Sequence, residues 1–399
     1  MDKQLDIFRH TEAGKAMRLS LKDAIALSIQ SLQAYGNDRS TWVVGFSGGK
    51  DSTATITFID WAIKTGQVQR PANLIAIYCD TAMELPSLES NAHQLLDHLE
   101  RTGWRTIRTI PQLETKPTKT ERFFVTMLGR GYPPPSSRFR WCTQRMKADK
   151  IDAAYKLVFQ EYGEDFLGID GIRKGESAAR DQIIVASCSS DDGECGQGWF
   201  HKNQRGSGYN LSPLLHWRIC HIWDWLMIAD LEHGYPTRGV AETYGFEEGD
   251  DPSDLSGRTG CIGCPLVTCG NKSKPKPDKA LATVLQSDRW SHLAPYQKLS
   301  EIYWQLRWNE TTRHKKEGGG KGCLTITARR WALAEILAIQ NESVSLALEA
   351  GRSPYLIIQP DEESLIRQML SDRTYPSNRG YSDSEFDREI ELQITKTVH

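Results

Sequence analysis

The stretch GFSGGKDSTA, Gly45 to Ala54, sets adjacent glycines beside a lysine, an aspartate and three hydroxyl side chains. Glycines let a backbone approach an anion closely. Backbone N–H groups at a helix start, together with the helix dipole, bind phosphate. The flanks fit that use. Thr41–Val44 is apolar or β-prone, and TITFIDWAI after the loop carries apolar residues at helical spacing. A strand therefore leads through glycines into a helix. The pattern is not the G-x-x-x-x-G-K-[ST] phosphate loop, because Asp51 follows Lys50.

A second group is built of thiols. CIGCPLVTC supplies Cys261, Cys264 and Cys269, and Cys142 lies far upstream in RFRWCTQRMKADKI. Four thiolates can hold a [4Fe–4S] cluster or a structural Zn²⁺. Small and apolar neighbours lean toward the cluster, and zinc ribbons usually bring two C-x₂-C pairs where one is present. Free buried thiols are the third alternative. The nine cysteines are odd in number, and a reducing compartment disfavours a disulfide framework. Cys79, Cys188, Cys195, Cys220 and Cys323 read as ordinary. Cys79 closes a strand beside the glycine loop, and Cys188 and Cys195 are candidates to carry a persulfide.

The elements that position these groups alternate. Ser20 with Asp23 resembles a capping box opening a helix to about Tyr35. Strands are expected at TWVVGF, NLIAIYCD and WRTIRTI, with helices after the glycine loop and after Pro86, and another short strand at DFLGIDGIR. That order predicts a doubly wound, mostly parallel α/β sheet. Residues 188–208 read as a polar, mobile excursion, His221–Gly234 as an amphipathic helix, and 247–260 as an acidic loop. Past residue 285 the chain reads as helical, broken by KKEGGGKG, with a polar end from about Ser371. The expected division is an N-terminal helical segment (1–39), the α/β domain with its cysteines (40–284) and a helical C-terminal addition (285–399).

The loop matches the S-G-G-x-D-S pattern in full and resembles that of the ATP pyrophosphatases, whose adenine nucleotide alpha-hydrolase-like fold the resemblance implies. It implies that Ser47, Gly48, Gly49, Lys50 and Ser52 hold phosphates of ATP. Asp51 would bind Mg²⁺ or organise the loop. Lys50 and Mg²⁺ would offset charge on the leaving pyrophosphate. CDTAMELP (Cys79–Pro86) resembles the D-T-x-x-E-[FL]-P segment of the PAPS reductase-like branch, which makes Asp80, Thr81 and Glu84 nucleotide neighbours. GIDGIRKGESAAR resembles G-[IV]-R-x-x-E-S-x-x-R, with Gly171, Arg173, Glu176, Ser177 and Arg180 in place. Arginine suits phosphate or sulfate, so Arg173 and Arg180 are the candidates to hold the reacting phosphate. LSPLLHWRICHIWDWL resembles a third segment, with His221 where the branch usually has Asp, and its tryptophans read as core.

Reductases of this branch receive an adenylated substrate and typically lose the loop. Retention of the loop beside a cysteine group is similar to the DNA phosphorothioation sulfurtransferases of the DndC type, or their single-strand relative. That resemblance implies adenylation of a DNA backbone phosphate, then sulfur insertion. Partners would be DNA, a cysteine desulfurase as sulfur donor and other phosphorothioation subunits. Trp141 departs from the reductases, where two cysteines are adjacent.

Net charge is −2, so nucleic acid would need local basic patches. Three stretches offer them: 138–150 (Arg138, Arg140, Arg145, Lys147, Lys150), 272–279 (Lys272, Lys274, Lys276, Lys279) and 313–330 (Arg313, Lys315, Lys316, Lys321, Arg329, Arg330). No run approaches the roughly 18 apolar residues of a membrane span, and the first residues lack a signal peptide's apolar core, so a cytoplasmic protein is expected. Rival readings are an APS/PAPS reductase-like assimilation enzyme, a tRNA thiolase and a non-catalytic ATP-sensing subunit. No cysteine follows Cys323 to serve the first, and the branch segments fit the second poorly.

Overall fold

The structure is a computed structural model that describes residues 19–111, 122–163, 165–176, 178–189, 193–202, 208–245, 260–315 and 319–376. Helix α1 (Leu21–Gly36) opens with the expected box: the Ser20 hydroxyl accepts from the Asp23 N–H, and the Asp23 carboxylate accepts from the Ser20 N–H. There follow β1 (Thr41–Phe46), α2 (Lys50–Lys64), β2 (Asn73–Cys79), α3 (Pro86–Arg101) and β3 (Arg105–Thr109). Two π-turns (Val125–Gly129, Thr143–Ala148) lead into α4 (Asp149–Tyr162), β4 (Phe166–Ile169) and α5 (Ala178–Ser189). Next come β5 (Gly193–Glu194), β6 (Trp199–Lys202), β7 (Tyr209–Ser212), α6 (Ile219–Leu231) and α7 (Arg238–Tyr244).

The sheet order is β3-β2-β1-β4-β7-β6-β5. The first five of these pair parallel, and β6 and β5 add antiparallel. This is the doubly wound α/β sheet that the strand–helix alternation predicts. Burial on both faces explains the near-continuous apolar strands. Trp42, Val44, Leu74, Ala76 and Tyr78 face a core shared with α1, α2, α3 and α6. The alternate residues Val43, Ile75 and Ile77 pack against Ala154 and Val158 of α4. The order reverses between β1 and β4, and ligands of such sheets bind at the carboxyl ends of strands where that happens.

Residues 188–208 depart from the expected mobile excursion. Among their described residues, β5 and β6 form a ribbon that extends the sheet, and Cys188 is joined to Cys195 as a disulfide. Ring stacking of Tyr35 and Tyr209 on Phe200 holds the ribbon, which composition alone did not reveal. The acidic loop, Lys316 and all but the start of the polar end lie outside the described residues.

The rest of the chain is α8 (Pro265–Thr268), α9 (Lys279–Val284), a 3₁₀ segment (Asp288–Lys298), α10 (Leu299–Trp308), β8 (Arg313–Lys315), β9 (Lys321–Leu324), α11 (Ile326–Glu349) and α12 (Pro360–Ser371). The expected break at KKEGGGKG lies between β8 and β9, which pair antiparallel, and its residues 316–318 lie outside the described residues. These helices share a second core with Met83, Leu85, Leu88, Phe123–Leu128, Trp141 and Ile262, so this core draws on residues from both sides of residue 285. Arg329, counted above with the DNA-facing cations, is fully buried. It donates to the carbonyls of Leu128 (2.6 Å), Thr374 (2.9 Å) and Gly129, and so cannot reach DNA. Arg313 and Lys321 are likewise turned onto carbonyls, those of Gly322 and Lys321 for Arg313 and those of Arg307 and Trp308 for Lys321.

Arg329→Met strands three carbonyls of the second core. It is expected to destabilise the protein by about 3 kcal/mol, read as a lowered urea midpoint, whereas Arg330→Met, an exposed neighbour, leaves the midpoint in place.

Candidate active site

β1 ends in a loop whose shape is set by Gly48 and Ser52. Gly48 has φ 73°, and a Cβ there would stand 3.0 Å from Ala92 Cβ on α3. Only glycine meets both conditions. Ser52 Oγ donates to the Gly49 carbonyl at 3.0 Å, accepts from the Ser47 N–H at 3.2 Å and lies 3.0 Å from Ser47 Oγ. No side chain caps the start of α2, which suits a helix whose first N–H groups face an anion. Lys50 is buried, with Nζ 3.3 Å from Asp51 Oδ2 and 5.0 Å from the Tyr244 ring centroid.

The β4 turn packs onto this helix start. Arg173, only 6% exposed, donates Nε–H to Asp51 Oδ1 at 2.6 Å and an Nη1–H to the Trp217 carbonyl at 3.3 Å. Gly171 lies so close that a Cβ would meet Thr55 Oγ1 at 2.8 Å and the Asp51 carbonyl oxygen at 3.0 Å. Asp170 accepts from Ser212 Oγ (2.6 Å) and Ile172 N–H (3.1 Å), and burial pushes its carboxyl up. Arg180 is exposed and donates to Glu176 at 2.6 Å. Ser177 lies outside the described residues.

Beside the loop is a cavity of about 800 Å³, lined by Gly45–Ser47, Cys79, Asp170 and Tyr155 among others. Lys147 also lines it. Its side chain is 42% accessible. Lys147 was grouped with DNA-facing cations. The structure pairs it with a buried carboxylate, Nζ sitting 3.4 Å from Glu84 Oε1. Glu84 holds its ammonium in the charged form against burial.

The turn after β2 joins this cavity to the cysteines. Asp80 accepts from Ala82 N–H at 2.6 Å, with Ala82 at φ 55°. Thr81 Oγ1 donates to Glu84 at 3.0 Å and lies 3.6 Å from Cys261 Sγ. Glu84 and Cys261 pair as an isolated antiparallel bridge, with Leu85 N–H on Gly260 O and Ile262 N–H on Met83 O. Tyr355, from the segment between α11 and α12, donates to the Glu84 carbonyl at 2.9 Å.

Cys264 lies near enough to Cys142, Cys261 and Cys269 to couple electrostatically to each of them. Burial pushes all four up, Cys269 to about 11, where the neighbouring Arg307 guanidinium opposes it. The structure thus brings Cys142 to the other three across more than a hundred residues of chain. The sulfurs stay apart. Among the described residues, the one set of three candidate ligand atoms within 4.8 Å of one another is Asp80, Glu89 and His93. Glu89 and His93 carried no motif signal. Only their spacing of four on α3, one turn apart, could have drawn attention to them.

Residues 41–234 match the phosphoadenosine phosphosulfate reductase domain. An uncharacterized protein of Methanocaldococcus jannaschii is 25% identical over 234 residues, 59% of this chain and 38% of that protein. The chain spans about two fifths of the length of the curated relatives it matches. Among solved structures, the FMN adenylyltransferase of Candida glabrata aligns at TM-score 0.33 and 14% identity, covering 53% of this chain and 58% of that one. The U34-tRNA thiolase NcsA of Methanococcus maripaludis aligns at 0.32 and 12%, covering 72% and 79%.

Burial, and then the charges of Asp80 and Glu84, push the Glu89 carboxyl from 4.5 up to about 7. The unfolded chain releases this proton near 4.5 and the folded chain keeps it to about 7, so stability falls as pH rises through that window. Glu89→Gln has no proton to lose. Its thermal midpoint is expected to exceed that of the parent above about pH 7 and to match it below about pH 4.5.

Proposed function

We propose that the chain, whose residues 41–234 match the phosphoadenosine phosphosulfate reductase domain, is an ATP pyrophosphatase and sulfurtransferase. It adenylates a DNA backbone phosphate, releases pyrophosphate and replaces a non-bridging oxygen by sulfur. The observation that carries this reading is that one turn, Cys79–Glu84, borders the nucleotide cavity on one side and Cys261 on the other.

The roles follow from position. The loop N–H groups, with Lys50, take the β- and γ-phosphates of ATP. Asp51, held by Arg173, fixes the start of α2 beneath them. Lys147, lining the cavity and charged beside Glu84, suits the negative charge that builds at the α-phosphorus when the acceptor oxygen attacks. Adenylation gives that acceptor AMP as a leaving group, which a sulfur nucleophile displaces.

Four thiols without histidine or carboxylate fit an iron–sulfur cluster held by Cys142, Cys261, Cys264 and Cys269. Zinc, with Zn–S of about 2.3 Å, would gather tetrahedral sulfurs to about 3.8 Å, and no three of them lie within 4.8 Å of one another. A bound cluster supplies Lewis-acidic, redox-active iron beside the nucleotide cavity.

DNA is the acceptor that the exposed charge favours. Lys272, Lys274, Lys276 and Lys279 are exposed immediately after Cys269, and Arg138 and Arg140 just before Cys142. Both segments rest on α10: Trp304 donates to the Asn271 carbonyl, and Arg307 to the carbonyls of Pro134 and Pro135. The cations therefore flank the thiol group from two sides.

DNA is expected to stimulate pyrophosphate release from ATP about tenfold or more, and Asp51→Ala to lower that release about a hundredfold. Lys272→Glu with Lys274→Glu should abolish the stimulation while ATP alone still binds. Stimulation by tRNA and not by DNA would overturn the acceptor. ATP binding without pyrophosphate release under any acceptor would overturn the enzyme reading in favour of a sensor. Cys264→Ser should lose iron and the thiolate-to-iron absorbance of the anaerobically purified protein, whereas stoichiometric zinc in a colourless protein would overturn the cluster.

A further inference from the structure

The segment PPPSSRFR, residues 133–140, enters the site so far only through its two arginines, and its aromatic residue is unexplained. Phe139 is 45% exposed, yet its backbone is tightly held. Phe139 N–H donates to the Ser136 carbonyl at 3.0 Å, and Ser136 N–H donates to the Phe139 carbonyl at 3.2 Å. Together they close a two-residue turn over Ser137 and Arg138. The three prolines ahead of the turn have fixed φ. Trp141 Nε1–H donates to the Pro133 carbonyl at 2.9 Å, and Arg307 to that of Pro134 at 3.3 Å and to that of Pro135.

The ring is also the outer end of an aromatic ladder. Phe123 of the second core stacks on Trp141 at 5.3 Å, Trp141 meets Tyr132 edge-on at 5.8 Å, and Tyr132 lies parallel to Phe139, 7° between their planes and 6.2 Å between centroids. Arg145 fixes Tyr132 by donating to its hydroxyl at 2.9 Å. The surroundings of the exposed ring carry one sign of charge. PPPSSRFR has no acidic residue, and Arg138 and Arg140 on either side of Phe139 are exposed. In the lysine segment 271–279 the acid is Asp278, which is buried and accepts from the Gly263 and Leu281 N–H groups. Both segments are seated on one face of α10, through Trp304 and Arg307, three residues apart. A flat ring among cations suits a nucleic acid strand, whose bases stack while its phosphates pair. An acidic peptide would use the cations and leave the ring bare. In a duplex each base face is covered by its neighbours, so the ring can take only an unpaired base.

We propose that Phe139, backed by Tyr132, is a stacking platform for an unpaired base, and that the acceptor DNA is bound here as a single strand, an inference that rests on the DNA-acceptor reading above. Arg138 and Arg140 take the phosphates on either side of the stacked base. Cys142 follows Phe139 by three residues, so the stacked base sets the register of the strand beside the thiol group. Every base has a face to offer, so the platform selects for strandedness and not for sequence.

The test uses the full chain without ATP, so it is separate from the adenylation reading. Anisotropy is followed for a fluorescein-labelled DNA strand of mixed sequence and for the same strand in a duplex. The single strand is expected to bind about tenfold tighter or more. A strand carrying 5-iododeoxyuridine, irradiated in the complex, should crosslink to the peptide that holds Phe139. Phe139→Ala should weaken single-strand binding about 5- to 150-fold and leave duplex binding and the salt dependence unchanged, and Phe139→Trp should restore it. Arg138→Gln with Arg140→Gln should instead lower the slope of log K against log salt by about 1.4. Equal affinity for strand and duplex, or a crosslink that maps away from Phe139, overturns the platform and leaves DNA as the acceptor. Failure to bind DNA in either form overturns the acceptor reading and the platform with it. The strand-against-duplex comparison and the crosslink involve no substitution and decide the matter even if a variant fails to fold.

Discussion

The contact between Asp51 and Arg173 is the one on which the site depends. It joins the first helical turn after β1 to the turn after β4, across the point where the strand order reverses. Both partners are largely withdrawn from water, with side chains 18% and 7% accessible. A pair in that setting contributes little net stability, but removing one partner leaves the other's charge stranded. What the pair fixes is position. With it in place, the Trp217 carbonyl, Gly171 and Thr55 all close on the base of α2, and the glycine loop above has one shape.

A second junction runs through Glu84. Its carboxylate takes Thr81 and Lys147, its carbonyl takes Tyr355, and its backbone pairs with Cys261. Four segments distant in sequence thereby meet at a single buried residue. The arrangement explains why a carboxylate tolerates this depth: charge-assisted partners surround it. The turn from Cys79 to Glu84 thus lies between the cavity and Cys261.

Much of this was legible from residue types. The strand–glycine–helix passage, the capping box at Ser20 and the apolar strands follow local rules, and they form where those rules put them. Cys142 was attached to the distant C-x₂-C group by chemistry alone. What stayed hidden depends on tertiary approach. Lys147 and Arg329 read as surface cations because nothing local distinguishes a lysine that pairs with a buried carboxylate from one that faces water. Glu89 and His93 gain meaning only from Asp80, which belongs to another element. The ribbon at 193–202 was concealed by its polar, glycine-rich composition, since its strands are held by aromatic stacking onto Tyr35 and Tyr209 rather than by an apolar run of their own.

The second core has a consequence for how the molecule behaves as a whole. Cys269 is completely enclosed in it, and Cys142 and Cys261 pack against its edge, alongside residues of α10, α11 and α12. Any ligand of these sulfurs is therefore inside the same packed unit as α10, α11 and α12. By linkage, the free energy of coordination adds to that unit's resistance to unfolding.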